Sequence, residues 1–163
     1  VLLVDEIDRA DDEFEAFLFE ALADSAVTIP ELGTRRATVA PVVVLTSNRT
    51  RDLHDALTRR CLYHWIGYPD EHRVEEIVRR RVPEAAGWLA GQVAAAVQRL
   101  RGLELQKKPG VAEAIGWTTA LHVLGITTLD EAGAERTLGT VLKYDEDARL
   151  ARATGLGSLV SGA

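Results

Sequence analysis

Val1-Leu2-Leu3-Val4 runs straight into Asp5-Glu6. Four apolar residues, two of them β-branched, have the length and character of a strand buried on both faces, as parallel strands usually are. In an open α/β sheet, ligands sit beyond the carboxyl ends of the strands. The acid pair is therefore written at the position where chemistry belongs. A carboxylate there can hold Mg²⁺ directly or through its waters, and the next one can orient or deprotonate a water. The same residues also read as a strand entering an acidic helix start, since Asp8, Asp11, Asp12 and Glu13 follow closely.

A second apolar run, Val42-Val43-Val44-Leu45, follows Pro41 and ends in Thr46-Ser47-Asn48. An Asn amide can donate to a phosphate oxygen and accept from a water, which suits it to positioning a nucleophile. It is equally suited to a turn or to capping the segment from Asp52. Between the two runs, Phe14, Phe17, Leu18, Ala21 and Leu22 fall at helical spacing over residues 10–23, with Asp11, Asp12 and Glu13 at the positive end of that helix. Val27-Thr28-Ile29 and Arg36-Ala37-Thr38-Val39 flank Pro30-Glu31-Leu32-Gly33, the pattern of two short strands around a turn or of an irregular loop. Residues 52–60 read as a short helix ending in Arg59-Arg60, and residues 61–66 as a further strand. The two arginines either complement the helix dipole or offer a phosphate their permanent charge and planar fork.

After Pro69 the pattern becomes helical. Asp70 is placed to cap a helix bearing Val74, Ile77, Val78 and Val82. An Ala-rich helix follows over residues 85–101. Pro109 suits the first turn of a third, carrying Val111, Ala114, Ile115 and Thr118, with Gly125 ending it. Residues 130–142 and 145–153 complete the helices, and the Gly/Ser-rich tail, 155–163, is expected to fray. Arg79-Arg80-Arg81 reads as a solvated helix side.

Acidic residues outnumber basic ones 25 to 19, for a net charge of -6. That balance makes nucleic acid an unlikely partner, because such binders carry basic surfaces. Cys61 is the single cysteine, so no internal disulfide forms and a reducing compartment, the cytoplasm, is expected. No apolar run approaches the length of a membrane span. His54, His64, His72 and His122 are too scattered for a local metal motif. The chain has no methionine, opens inside an apolar strand and lacks the Gly-x-x-x-x-Gly-Lys-Ser/Thr loop that cradles phosphates. It reads as a fragment whose upstream part is missing, and a chain without that loop is expected not to hydrolyse a nucleotide alone.

Taken in order, Leu3-Val4-Asp5-Glu6-Ile7-Asp8-Arg9-Ala10, Val27-Thr28-Ile29-Pro30, Leu45-Thr46-Ser47-Asn48 and Leu57-Thr58-Arg59-Arg60-Cys61 resemble the AAA+ ATPases, and within them the MoxR family. The resemblance extends to about residue 145. It implies an α/β fold: a partial parallel-sheet P-loop NTPase core beginning at Walker B (1–69), an α-helical lid (70–154) and a flexible tail (155–163). It also implies ATP and Mg²⁺ as cofactors. In that scheme Asp5 supports the Mg²⁺, directly or through water, and Glu6 activates the attacking water. Asn48 matches sensor 1, and the hairpin from Val27 to Val39 is the one preceding it. Arg60 matches the arginine finger, with Arg59 in reserve; a guanidinium supplied in trans can be worth about 10³–10⁵ in rate.

Many MoxR relatives place the sensor 2 arginine just after a proline at the start of a lid helix. Here Gly110 follows Pro109, so the resemblance leaves Lys107 or Lys108 as the nucleotide contact. The implied partners are further copies in a ring, commonly a hexamer, a client protein, and often a protein with a von Willebrand A domain. The implied function is chaperone-like remodelling or maturation of clients, often metal-cofactor insertion, driven by ATP hydrolysis. The alternatives are a non-hydrolysing scaffold of AAA+ shape and a nucleic-acid motor or loader of the same class.

Overall fold

The computed structural model describes residues 1–161. The fold is mixed α/β and divides into two units, one from Val1 to Trp65 and one from Ile66 onwards.

In the first unit β1 (Leu2–Val4) and β4 (Val43–Leu45) pair in parallel, with Leu2, Leu3 and Val4 opposite Val43, Val44 and Leu45. Between them lie a 3₁₀ turn (Ile7–Arg9), α1 (Asp12–Asp24) and a hairpin of β2 (Ala26–Ile29) and β3 (Gly33–Arg36). Asp11 caps α1 by accepting the Phe14 N–H at 2.8 Å. The small core is Ile7, Leu18 and Leu57, with Val4, Ala10, Leu22, Leu45 and Leu53 packed against it. Leu57 comes from α2 (Asp55–Thr58), a single turn.

Three expectations for this unit are overturned. The parallel strands are not buried on both faces: Leu3 of β1 is 61% and Val44 of β4 45% exposed. Among the described residues each strand has one hydrogen-bonded neighbour, and only the ends of the pair, Val4 and Leu45, pack against the small core. Residues 61–66 do not form a strand, and Leu62 and Ile66 lie almost fully exposed. An apolar run becomes a strand only where a neighbour satisfies its N–H and C=O groups, and this one has none among the described residues. The hairpin's second strand is Gly33–Arg36 rather than residues 36–39. Ile29 pairs with Gly33 across a tight turn, so the partners of β2 are used up by Arg36; Gly33 takes φ +73, which a side chain would strain.

The second unit packs α3 (Glu71–Arg81), α4 (Gly87–Arg101), α5 (Val111–Val123), α6 (Glu131–Val141), α7 (Asp145–Thr154) and α8 (Leu156–Val160) around one core. Val74 and Val78 of α3, Val93 and Val97 of α4, and Leu121 of α5 are fully excluded from water. Asp70 and Asp130 cap α3 and α6, accepting the Arg73 and Gly133 N–H groups at 2.8 and 2.7 Å. The largest buried side chain, Trp117, donates its indole N–H to the Thr137 hydroxyl at 2.7 Å.

The expected fraying of residues 155–163 does not hold for its described part. Leu156, Leu159 and Val160 recur at helical spacing and are buried in the core. Gly155, at φ +98, makes the turn that lets α8 leave the end of α7. Gly162 and Ala163 lie outside the described residues.

Candidate functional site

β1 and β4 run in the same direction and in register, so the residues that follow them emerge side by side. Their tips stay joined, the Thr46 N–H donating to the Val4 carbonyl at 3.0 Å and the Ile7 N–H to the Thr46 carbonyl at 2.9 Å. At this point Glu6 takes a left-handed backbone conformation, φ 53 and ψ 47, which costs a non-glycine residue about 1–3 kcal/mol. Hydrogen bonds around Thr46 offset it. The Glu6 N–H donates to the Thr46 hydroxyl at 3.0 Å, and that hydroxyl donates to the Asp5 carboxylate.

The bend turns the Glu6 side chain towards Asn48, whose amide Nδ2 donates to Glu6 Oε1 at 2.9 Å. The other oxygen, Oε2, pairs with Arg9 Nε at 3.0 Å. Asn48 thus stands beside Asp5 and Glu6, more than forty positions away in the chain, at the sheet tip, with Thr46 bridging the two acids.

The loop carrying Asn48 is tied down from below. Asp8, only 2% exposed, accepts the Asn48 N–H at 3.1 Å, the Thr50 N–H at 2.9 Å and the Thr50 hydroxyl at 2.6 Å. The Thr50 hydroxyl above all, then the two N–H groups, hold the Asp8 carboxyl well below the usual carboxylate range against the opposing effect of burial. Further on, buried Glu15 ties down the next part of the loop, pairing with the Arg51 guanidinium and accepting the His54 N–H at 3.0 Å.

The expected arginines stand apart from this group. Arg59 lies 3.8 Å from Asp55 on an exposed surface. The Arg60 guanidinium sits 4.4 Å over the Phe19 ring, a cation–π contact. Among the described residues neither is hydrogen-bonded or ion-paired to Asp5, Glu6 or Asn48.

Lys107 and Lys108 belong to the second unit, in the loop ahead of α5. Buried Asp147 positions that loop by accepting the Gln106 and Lys107 N–H groups at 2.8 and 3.2 Å. Arg101 clamps its far end, donating to the Pro109 carbonyl at 2.8 Å and to the Pro69 carbonyl at 2.7 Å. Lys107, Lys108 and Lys143 line one shallow depression with Glu113. The Glu113 carboxylate accepts the Gly110 N–H at 2.9 Å and lies 3.9 Å from the Lys107 amine. The local field is therefore basic but already shared with one acid.

A metal would find an incomplete shell at Asp5. Among the described residues no group of three or more His, Cys, Asp or Glu side chains could hold an ion unaided. One carboxylate beside a hydroxyl fits Mg²⁺, which is commonly held by one or two carboxylates with waters and substrate phosphates completing its octahedron.

No protein-family model matches the chain, and no curated protein matches it.

Several participants were not singled out in the sequence: Asp8, Thr50, Arg9, Glu15, and Thr46 as the bridge. Each lies within a few residues of a strand end or at the start of α1, so superposing the two strand tips by offset would have paired Asp8 with the loop at Asn48. No helix among the described residues is long and apolar enough to cross a membrane.

Proposed function

We propose that the chain is part of a MoxR-type AAA+ ATPase, contributing the rear half of the nucleotide-binding core and the helical lid. The observation that carries this reading is the 2.9 Å bond between the Asn48 amide and the Glu6 carboxylate at the carboxyl ends of two adjacent parallel strands. A water lodged at that pair would be oriented by the Asn48 amide and deprotonated by Glu6, with Arg9 steadying the second carboxylate oxygen. Asp5, with the Thr46 hydroxyl, would hold Mg²⁺, which supplies charge neutralisation to the phosphates when bound. Arg60, or Arg59 in reserve, would reach the nucleotide of a neighbouring copy, which implies a ring, commonly of six; neither is engaged by Glu6, Arg60 lying over Phe19 and Arg59 beside Asp55. Lys107 or Lys108 would meet a phosphate from the lid. The whole would spend ATP on remodelling or maturing a client protein in the cytoplasm, with a von Willebrand A domain protein as companion.

The test is ATP hydrolysis by a chain that carries a Gly-rich phosphate loop ahead of Val1. Glu6→Gln is expected to lower turnover by about 10²–10⁴-fold, the usual contribution of a general base, while ATP binding persists. Unchanged turnover would remove Glu6 from the chemistry. A second reading, a non-hydrolysing scaffold of the same shape, is favoured by one feature: both Glu6 oxygens already have partners, Asn48 and Arg9. Absence of turnover in the parent form of that same assay would select it.

A further inference from the structure

The hydrolytic reading gives Asp8 no part, yet Asp8 is the most enclosed acid near the site. Every donor that reaches its carboxylate from across the fold belongs to the loop behind β4, namely the Asn48 N–H, the Thr50 N–H and the Thr50 hydroxyl. A buried carboxylate satisfied in this way resists displacement of its donors, because moving them leaves a charge without compensation. The donors lie on either side of Arg49, whose φ of 57 is a left-handed conformation that side chains rarely adopt. The turn is thus held against its own backbone preference. Asp8 grips the backbone of Asn48, and the side chain of Asn48 is what reaches Glu6.

We propose that Asp8 is a positioning residue: by binding the N–H groups of Asn48 and Thr50 and the Thr50 hydroxyl, it fixes the loop so that the Asn48 amide is delivered to the Glu6 carboxylate. The inference rests on the reading of Asn48 as the group that orients water, and extends it to a side chain that touches no reacting atom. Thr50 is the other half of the device, since its hydroxyl makes the shortest of the three bonds.

The test is NMR of the side-chain amides in the 163-residue chain. Glu6→Ala marks where the Asn48 Nδ2 protons resonate once their acceptor is gone. Asp8→Asn replaces an all-acceptor group with one that also presents donors to the same N–H groups, and Thr50→Val removes one donor. Both are expected to move the Asn48 resonances towards the Glu6→Ala position, with the Thr50 amide exchanging roughly ten- to hundredfold faster. Thr50→Ser keeps the hydroxyl and is expected to retain the parent spectrum. Asn48 resonances that stay at the parent position in Asp8→Asn and Thr50→Val overturn the proposal. If Asp8→Asn does not fold, Thr50→Val decides alone. Loss of the Asn48 signal position in Thr50→Ser also overturns it, since the hydroxyl would then not be the tie. None of these measurements needs nucleotide. Unchanged turnover in Glu6→Gln would therefore remove the hydrolytic role of Glu6 and leave the result on Asp8 intact.

Discussion

At the scale of single residues, the first unit is organised by carboxylates that reach across long stretches of chain. Asp5 meets Thr46, Glu6 meets Asn48, Asp8 meets Thr50, and Glu15 meets Arg51. Each replaces water with protein donors around a charge, and Asp8 does so in nearly complete burial. Its lowered pKa has a consequence for folding. A carboxyl whose folded pKa lies below its unfolded value, near 3.8, adds stability that is present above the unfolded value. That stability is lost as pH falls from there through the folded value. Acid unfolding of the parent, followed by the near-ultraviolet signal or by NMR of Ile7 and Leu18, is therefore expected to steepen below the ordinary carboxylate range. In Asp8→Asn this part of the pH dependence is expected to disappear, with lower stability at neutral pH. A variant with the parent's acid profile would show that Asp8 is not the group responsible.

At the scale of elements, the short pieces of this protein depend on what they pack against. α8 has only five residues and could not persist as an isolated helix. It is held because Leu156, Leu159 and Val160 enter the same core as α4, α6 and α7. Leu159→Ala is expected to cost about 2–5 kcal/mol in urea unfolding of the second unit, as for other buried leucines. Gly155→Ala should cost about 1–3 kcal/mol through its positive φ, at a position that buries no side chain. Equal stability of parent and Leu159→Ala would mean that α8 contributes nothing to the core. β1 and β4 depend on each other in the same sense, since three residues each would not remain extended without their mutual ladder.

At the scale of the whole molecule, two separate cores serve the two units. The larger is built wholly from residues after Ile66, and the smaller from Ile7, Leu18, Leu57 and their neighbours. Local stability should follow that division. In native-state hydrogen exchange the buried α4 amides are expected to be the best protected, and those of β1 and β4 much less so. Leu18→Ala is expected to cost about 2–5 kcal/mol in the protection of the first unit, leaving α4 protection near the parent's. Equal losses in both units would show that they unfold together.

The residues that speak through local chemistry were legible in the chain. The acid pair after an apolar run, the Asn after a second such run, the capping Asp70 and the amphipathic helices beyond Pro69 all depend on neighbours in sequence. Their physics is short-ranged: side-chain periodicity, capping bonds and backbone dihedral preference. What required the tertiary structure was everything set by pairing. Residues 61–66 have the composition of a strand but no ladder partner, the tail has the composition of a loop but three buried anchors, and Asp8 looks like one more surface acid until Thr50 is placed beside it. Composition states what a segment can become. Which hydrogen-bonding partner or apolar surface arrives from forty residues away is decided by the fold, because burial and ladder formation are properties of two segments and never of one.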